Sequence, residues 1–148
     1  MNHLHMENRI EAPIEHVWAF LCDTSHWDDW DPQSKHSDFS GPLDRVGTTF
    51  VETSRMMGFE MKGTLSVMEV EPARLLHLRS DFAQTEMSFR MEPDGDATRL
   101  TVDADWEMPG HIPGFIKNLM TRSWVERHTR QQMEDFKALA EATVPVPA

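Results

Sequence analysis

Three stretches in the middle of this chain alternate apolar and polar residues with a period of two, and turn residues rather than helix-length connections separate them. Phe59, Met61, Gly63, Leu65 and Val67 share one phase against Glu60, Lys62, Thr64 and Ser66. Thr85, Met87, Phe89 and Met91 alternate with Glu86, Ser88 and Arg90, and Leu100, Val102, Ala104 and Trp106 with Arg99, Thr101, Asp103 and Asp105. Each segment therefore has one dry face and one wet face. Met57-Gly58, Glu71-Pro72 and Pro93-Asp94-Gly95-Asp96 are hairpin punctuation, whereas a parallel sheet needs helical crossovers. The pattern dictates an antiparallel meander. Leu75 to Ser80 adds a strand whose facing is ambiguous, because Leu75 blurs the alternation of Leu76, Leu78 and Ser80 against His77 and Arg79.

The flanks are different. Leu4, Met6, Asn8 and Ile10 share one face of a period-2 pattern, which predicts a strand over residues 3–11. Pro13 suits the first turn of a helix, and Ile14, Val17, Trp18 and Leu21 recur at helical spacing over residues 13–22. A second short helical turn carries Trp27 and Trp30 and ends at Pro32. After Pro109-Gly110-His111-Ile112-Pro113-Gly114 a helical pattern runs to about Ala142, roughly 28 residues or about 42 Å. Val125, Thr129, Gln132, Met133, Phe136, Leu139 and Ala140 form one stripe of it, while Phe115, Ile116, Leu119 and Met120 point in another direction. The two halves of this helix are expected to bury different faces, the second on the sheet.

The run from Ala12-Pro13 to Asp31-Pro32, with Val17-Trp18, Asp23, Trp30 and Pro32, resembles the START-like (SRPBCC) superfamily of polyketide cyclase/dehydrase and lipid-binding proteins. The element order over nearly the whole chain fits that resemblance, which implies an α+β helix-grip fold. In it a curved antiparallel sheet of about seven strands wraps a long C-terminal helix, with two short helices after the first strand. The resemblance also implies a cavity between sheet and long helix, its mouth framed by the short helices, the hairpin loops and the start of the long helix. Members include aromatase and cyclase domains, lipid carriers, coenzyme Q-binding proteins and hormone receptors. They share no one catalytic set, so no catalytic residue is carried over.

At 148 residues the chain is expected to form one domain over 1–148, with 143–148 a frayed tail. A formal net charge of −11 opposes nucleic acid or an anionic membrane as partner. Cys22 is the one cysteine, and no run approaches the roughly 18 apolar residues of a membrane span, so a cytoplasmic protein without integral membrane association is expected, as a monomer or homodimer. No cofactor is called for. His3 and His5 lack a third metal ligand, and Asp23, Asp28, Asp29, Asp31 and Asp38 lack the pattern of a calcium loop and are read as helix-end and loop charge, so no metal is expected.

The inward phase predicts a ligand-binding surface of Phe50, Met61, Leu65, Met87, Phe89, Val102 and Trp106, with Ile116, Met120 and Trp124 from the long helix and Trp30 at the mouth. Methionine occurs 11 times, and its flexible side chain suits an adaptable pocket, although it serves a filled core equally well. Glu52 shares the phase of Val46, Phe50 and Met56 and is expected to point inward. It is either an acid, base or hydrogen-bond anchor, or a structural group at a bulge or paired to an arginine such as Arg79. His77 and Arg79 polarise a ligand carbonyl if they face in and are solvated if they do not. The leading expectation is a protein that binds a small hydrophobic molecule: a lipid, polyketide, quinone or aromatic metabolite. The alternatives are a cofactor-free cyclase or dehydratase using Glu52 or His77, and an interaction module resembling the Hsp90-ATPase activator homologues, acting through an exposed apolar patch.

Overall fold

The computed structural model describes residues 1–145 apart from Met57, Pro109, His111 and Met120, with the backbone alone described at Met56, Phe59, Ile116 and Leu119. Seven strands form one antiparallel sheet: β1 (Asn2–Ile10), β2 (Ser34–Ser37), β3 (Thr49–Met56), β4 (Phe59–Glu71), β5 (Leu75–Ser80), β6 (Glu86–Asp94) and β7 (Ala97–Trp106). Their spatial order is β1-β7-β6-β5-β4-β3-β2, a meander from β2 to β7 with β1 added beside β7. Helices α1 (Ile14–Cys22) and α2 (Trp27–Trp30) follow β1, and α3 (Gly114–Leu119) and α4 (Arg122–Ala142) follow β7. This is the helix-grip architecture.

The wet and dry faces fall where the alternation put them. In β4, Gly63, Leu65 and Val67 are buried while Lys62 and Thr64 are more open to solvent. A bulge between Val67 and Glu69 then reverses the phase, leaving Met68 outside and Val70 packed on the core. In β5, Leu76 and Leu78 are buried at 0% and 1% exposure, which settles the facing: His77 and Arg79 lie on the outer surface. There both meet Glu86, Arg79 at 2.6 and 2.9 Å and His77 at 4.0 Å.

The C-terminal helix is two helices, not one. Thr121 is extended (φ −65°, ψ 160°), and its hydroxyl accepts from the Trp124 N–H at 3.2 Å, so it caps a new helix at Arg122. The change of apolar direction seen in the sequence is this break, since separate helices can each aim a stripe where they need it. At the other end Thr143 closes α4, and Val144 packs on the core; residues 146–148 of the expected tail lie outside the described residues. Pro13 is likewise the N-cap of α1 rather than its first turn.

One end of the grip is solid. Phe136 on α4 sits edge-on to Phe20 of α1 at 5.1 Å and to Trp30 of α2 at 5.6 Å, and Trp27 meets Phe50 of β3 at 5.5 Å. Burying a side chain such as Phe136 contributes about 1.5–3 kcal/mol. Polar ties hold α4 along β1: Asn8 Nδ2 donates to the Met133 carbonyl at 3.1 Å and Lys137 Nζ to the Arg9 carbonyl at 2.8 Å. His16 of α1 reaches the Ala140 carbonyl at 2.9 Å.

Candidate functional site

The other end is hollow. A cavity of about 210 Å³ lies between the concave face of β3–β7 and the first half of α4. Met61, Gly63 and Leu65 of β4, Leu78 and Ser80 of β5, Met87 and Phe89 of β6, and Val102, Ala104 and Trp106 of β7 supply its floor. Trp124, Val125, His128, Thr129, Gln132 and Met133 form the roof, and Trp30 and Asp31 of the α2 turn close one side. Gly63 is needed here: a Cβ would stand 2.8 Å from Ser80 Oγ and 2.9 Å from Phe82 Cβ, so glycine lets the β5–β6 connection fold over the strand.

Of the predicted ligand-binding residues, Trp30, Met61, Leu65, Met87, Phe89, Val102, Trp106 and Trp124 line this cavity. Phe50 does not. It is 1% exposed beneath Trp27 and stacked on Phe39 at 4.9 Å, because β3 crosses the solid end of the grip at that point. Met120 and the side chain of Ile116 lie outside the described residues. His77 and Arg79, on the outer face, cannot reach a ligand inside.

Glu52 does point inward and lines the cavity. Its partner is His36, not Arg79: the strand register sets His36 opposite Glu52, with Nε2 3.0 Å from Oε2. His36 Nδ1 lies 2.8 Å from Asp28 Oδ1, and Nε2 lies 3.5 Å from Asp31 Oδ2. The imidazole is 1% exposed and held edge-on against Trp27 at 5.3 Å. Burial works against a charge on it, yet the hydrogen bonds and charges of Glu52, Asp28 and Asp31 prevail and hold its pKa above the ordinary histidine value of 6.5.

Asp31 is 5% exposed, so the reading of that acidic run as solvated charge fails at this residue. Burial first, and the Glu52 charge second, push its pKa above the ordinary carboxylate value; Gln132, His36 and His128 offset only part of the rise. Its Oδ1 makes no hydrogen bond among the described residues, and His128 Nε2 stands 4.0 Å away. His128 stacks on Trp124 with ring centres 4.9 Å apart. Two further buried groups of the cavity wall, the indole N–H of Trp30 and of Trp106, also lack a partner among the described residues. Cys22 adds no nucleophile: burial, helped by Asp44, pushes its thiol up to about 12.

Asp31, His36 and Glu52 together offer three ligand atoms within 4.8 Å of one another, a donor set able to hold a cation. Sequence reasoning missed it. The available signals were Asp31 next to a buried tryptophan, and His128 and Gln132 as polar residues beside an otherwise apolar stripe.

The sequence profile of the family described as polyketide cyclase / dehydrase and lipid transport matches residues 1–141. Among solved structures, the Zhui aromatase/cyclase from Streptomyces sp. R1128 superposes with a TM-score of 0.80 at 18% identity, covering 98% of this chain and 96% of that one. A protein from Thermus thermophilus gives 0.79 at 15% identity over 97% and 100% of the two chains. The major latex-like protein 151 of Panax ginseng gives 0.70 at 12% identity over 94% and 97%. At these identities the likeness is one of fold. Among curated proteins, none matches this chain in sequence.

Proposed function

This chain belongs to the polyketide cyclase / dehydrase and lipid transport family, and on that premise we propose that it binds a small apolar molecule with one polar end in the cavity beneath α4. The observation that carries the reading is the chemistry of the cavity: a mostly apolar floor, with Asp31 close to both Glu52 and His128 in the wall among further polar residues such as Ser34, Ser54 and Gln132. Apolar burial would supply most of the affinity, and the buried polar groups would fix orientation. A ligand hydroxyl could donate to Asp31 Oδ1, and a carbonyl could accept from an indole N–H.

Size narrows the class. A volume of about 210 Å³ lies below the ~300–1,000 Å³ usual for drug-sized ligands, which favours a one- or two-ring aromatic or quinone over a long acyl chain. A longer ligand would need Met61 and Met87 to move, which methionine does at low cost. Native mass spectrometry of the purified chain against simple phenols, quinones and fatty acids tests this. One bound aromatic per chain, with fatty acids held more weakly, is the expected result; no adduct with any of them would contradict it.

A second reading, a cyclase or dehydratase, is favoured by Asp31, a buried carboxyl pushed toward its protonated form beside His128. In that case Asp31→Asn abolishes turnover while the bound adduct persists; in a carrier there is no turnover to lose.

A further inference from the structure

We infer that Asp31, His36 and Glu52 form a binding site for one divalent first-row transition-metal ion, set in the wall of the cavity. Three observations support it independently of which organic ligand the cavity takes.

The first is spacing. His36 Nε2 stands 3.0 Å from Glu52 Oε2 and 3.5 Å from Asp31 Oδ2. Ligand atoms about 2.0–2.2 Å from a zinc-sized ion are roughly 3.0–3.5 Å apart at octahedral to tetrahedral angles, which the histidine's distance to each carboxylate already matches. The three ligand atoms lie within 4.8 Å of one another, and the two carboxylates close on the ion as it binds. The second is orientation. His36 Nδ1 is engaged by Asp28 at 2.8 Å, and the ring is wedged against Trp27, which leaves Nε2 facing the two carboxylates. A carboxylate behind a histidine, fixing its tautomer and strengthening its other nitrogen as a donor, is the usual support of a metal-bound imidazole.

The third is the unmet need of Asp31. The residue is only 5% exposed, and its Oδ1 has no hydrogen bond among the described residues. Its Oδ2, the oxygen nearer His36, would face the ion, and a cation bound there offsets the cost of keeping a buried carboxylate charged. With neutral His36 and two carboxylates, a divalent ion brings the three ligands to zero net charge. One imidazole and two carboxylates suit zinc, manganese, cobalt or ferrous iron better than copper(I), which prefers sulfur. Asp31 and Glu52 line the cavity, so the open coordination positions face the space where a ligand oxygen would lie.

The test uses the full chain, stripped with chelator and titrated with zinc and with cobalt(II) by calorimetry, with the cobalt absorption spectrum as a second readout. One ion per chain is expected, with an intense visible band unlike that of aqueous cobalt. Glu52→Gln and Asp28→Asn should each weaken binding by about 10–100-fold. Both positions are partly exposed, which spares the fold, and circular dichroism checks it. His3 and His5, exposed on β1 with Asp103 and Asp105 beside them, are the competing surface site. The double variant His3→Asn/His5→Asn should bind as the parent does. No binding of either metal by the parent chain overturns the assignment, as does binding that survives Glu52→Gln but is lost in the double variant. Aromatic-ligand binding without metal binding would remove the ion and leave the proposed function standing; the reverse would do the opposite.

Discussion

The same helix closes a solid end of this molecule and roofs a hollow one. Toward its C-terminus α4 presents Phe136, which fills the space between Phe20 and Trp30, followed by fully buried Ala140. One to three turns earlier the same face presents Val125, His128, Thr129 and Gln132 over the cavity. Helical period and sheet curvature are common to both ends. The difference lies in what the side chains meet: the Phe136 ring packs against Phe20 and Trp30, whereas Val125 and Thr129 face the cavity. A cavity here requires no special backbone, only that residues such as Val125, Thr129 and Gln132 stand where a ring like Phe136 could have completed the packing.

If that contrast is right, truncation at the two ends has unequal cost. Phe136→Ala should lower unfolding stability by about 3–5 kcal/mol, and Val125→Ala by no more than about 1 kcal/mol, because the second site already borders empty space. Equal losses in denaturant titrations would show the hollow end to be packed. The converse change sharpens the comparison. Ala140→Leu should destabilise by about 1–3 kcal/mol through overpacking, while Ala104→Met on the cavity floor is tolerated and abolishes the bound adduct. A large stability loss at Ala104 would contradict a real void.

The smallest effect is electrostatic. His36 sits among Asp28 of α2, Asp31 and Glu52 of β3, with His128 of α4 across Asp31, and its folded pKa is raised above 6.5. A raised pKa means that the folded state holds the proton more tightly. The stabilisation is therefore complete below about pH 6.5 and lost as pH rises through the folded value. Asp31 acts in the same sense from a lower starting point, and so does exposed His5 with Asp103. Metal-free protein should melt at a lower temperature at pH 8 than at pH 6, with a shallower dependence in Glu52→Gln. A melting temperature that rises over that range would refute the raised pKa of His36.

What the chain disclosed in advance follows physical signal length. The strands of β4, β6 and β7 are long enough for a period of two to declare itself, and Met61, Leu65, Met87, Phe89, Val102 and Trp106 of their inward phase line the cavity. β2 has four residues, too few for a period, so His36 could not be set opposite Glu52 across the irregular loop between them. Residues 74–80 stayed ambiguous because Leu75 and Leu76 are both buried, on opposite phases. The break before α4 was visible as a change of direction and was missed as a break because Thr121, its cap, lies within a run that otherwise keeps a helical pattern. Asp31 was misjudged since aspartates beside it are exposed; burial there comes from α4, more than ninety residues away in sequence.

Methionine provides the most direct test of the two-ended account. Met61, Met87 and Met133 line the cavity, Met91 is 1% exposed in the solid core, and Met68 lies on the outer face at 40% exposure. With methyl-labelled methionine, addition of a single-ring phenol or quinone should shift the resonances of Met61, Met87 and Met133 and leave Met91 and Met68 in place. Shifts confined to Met68, or none at all, would contradict a ligand-binding cavity beneath α4.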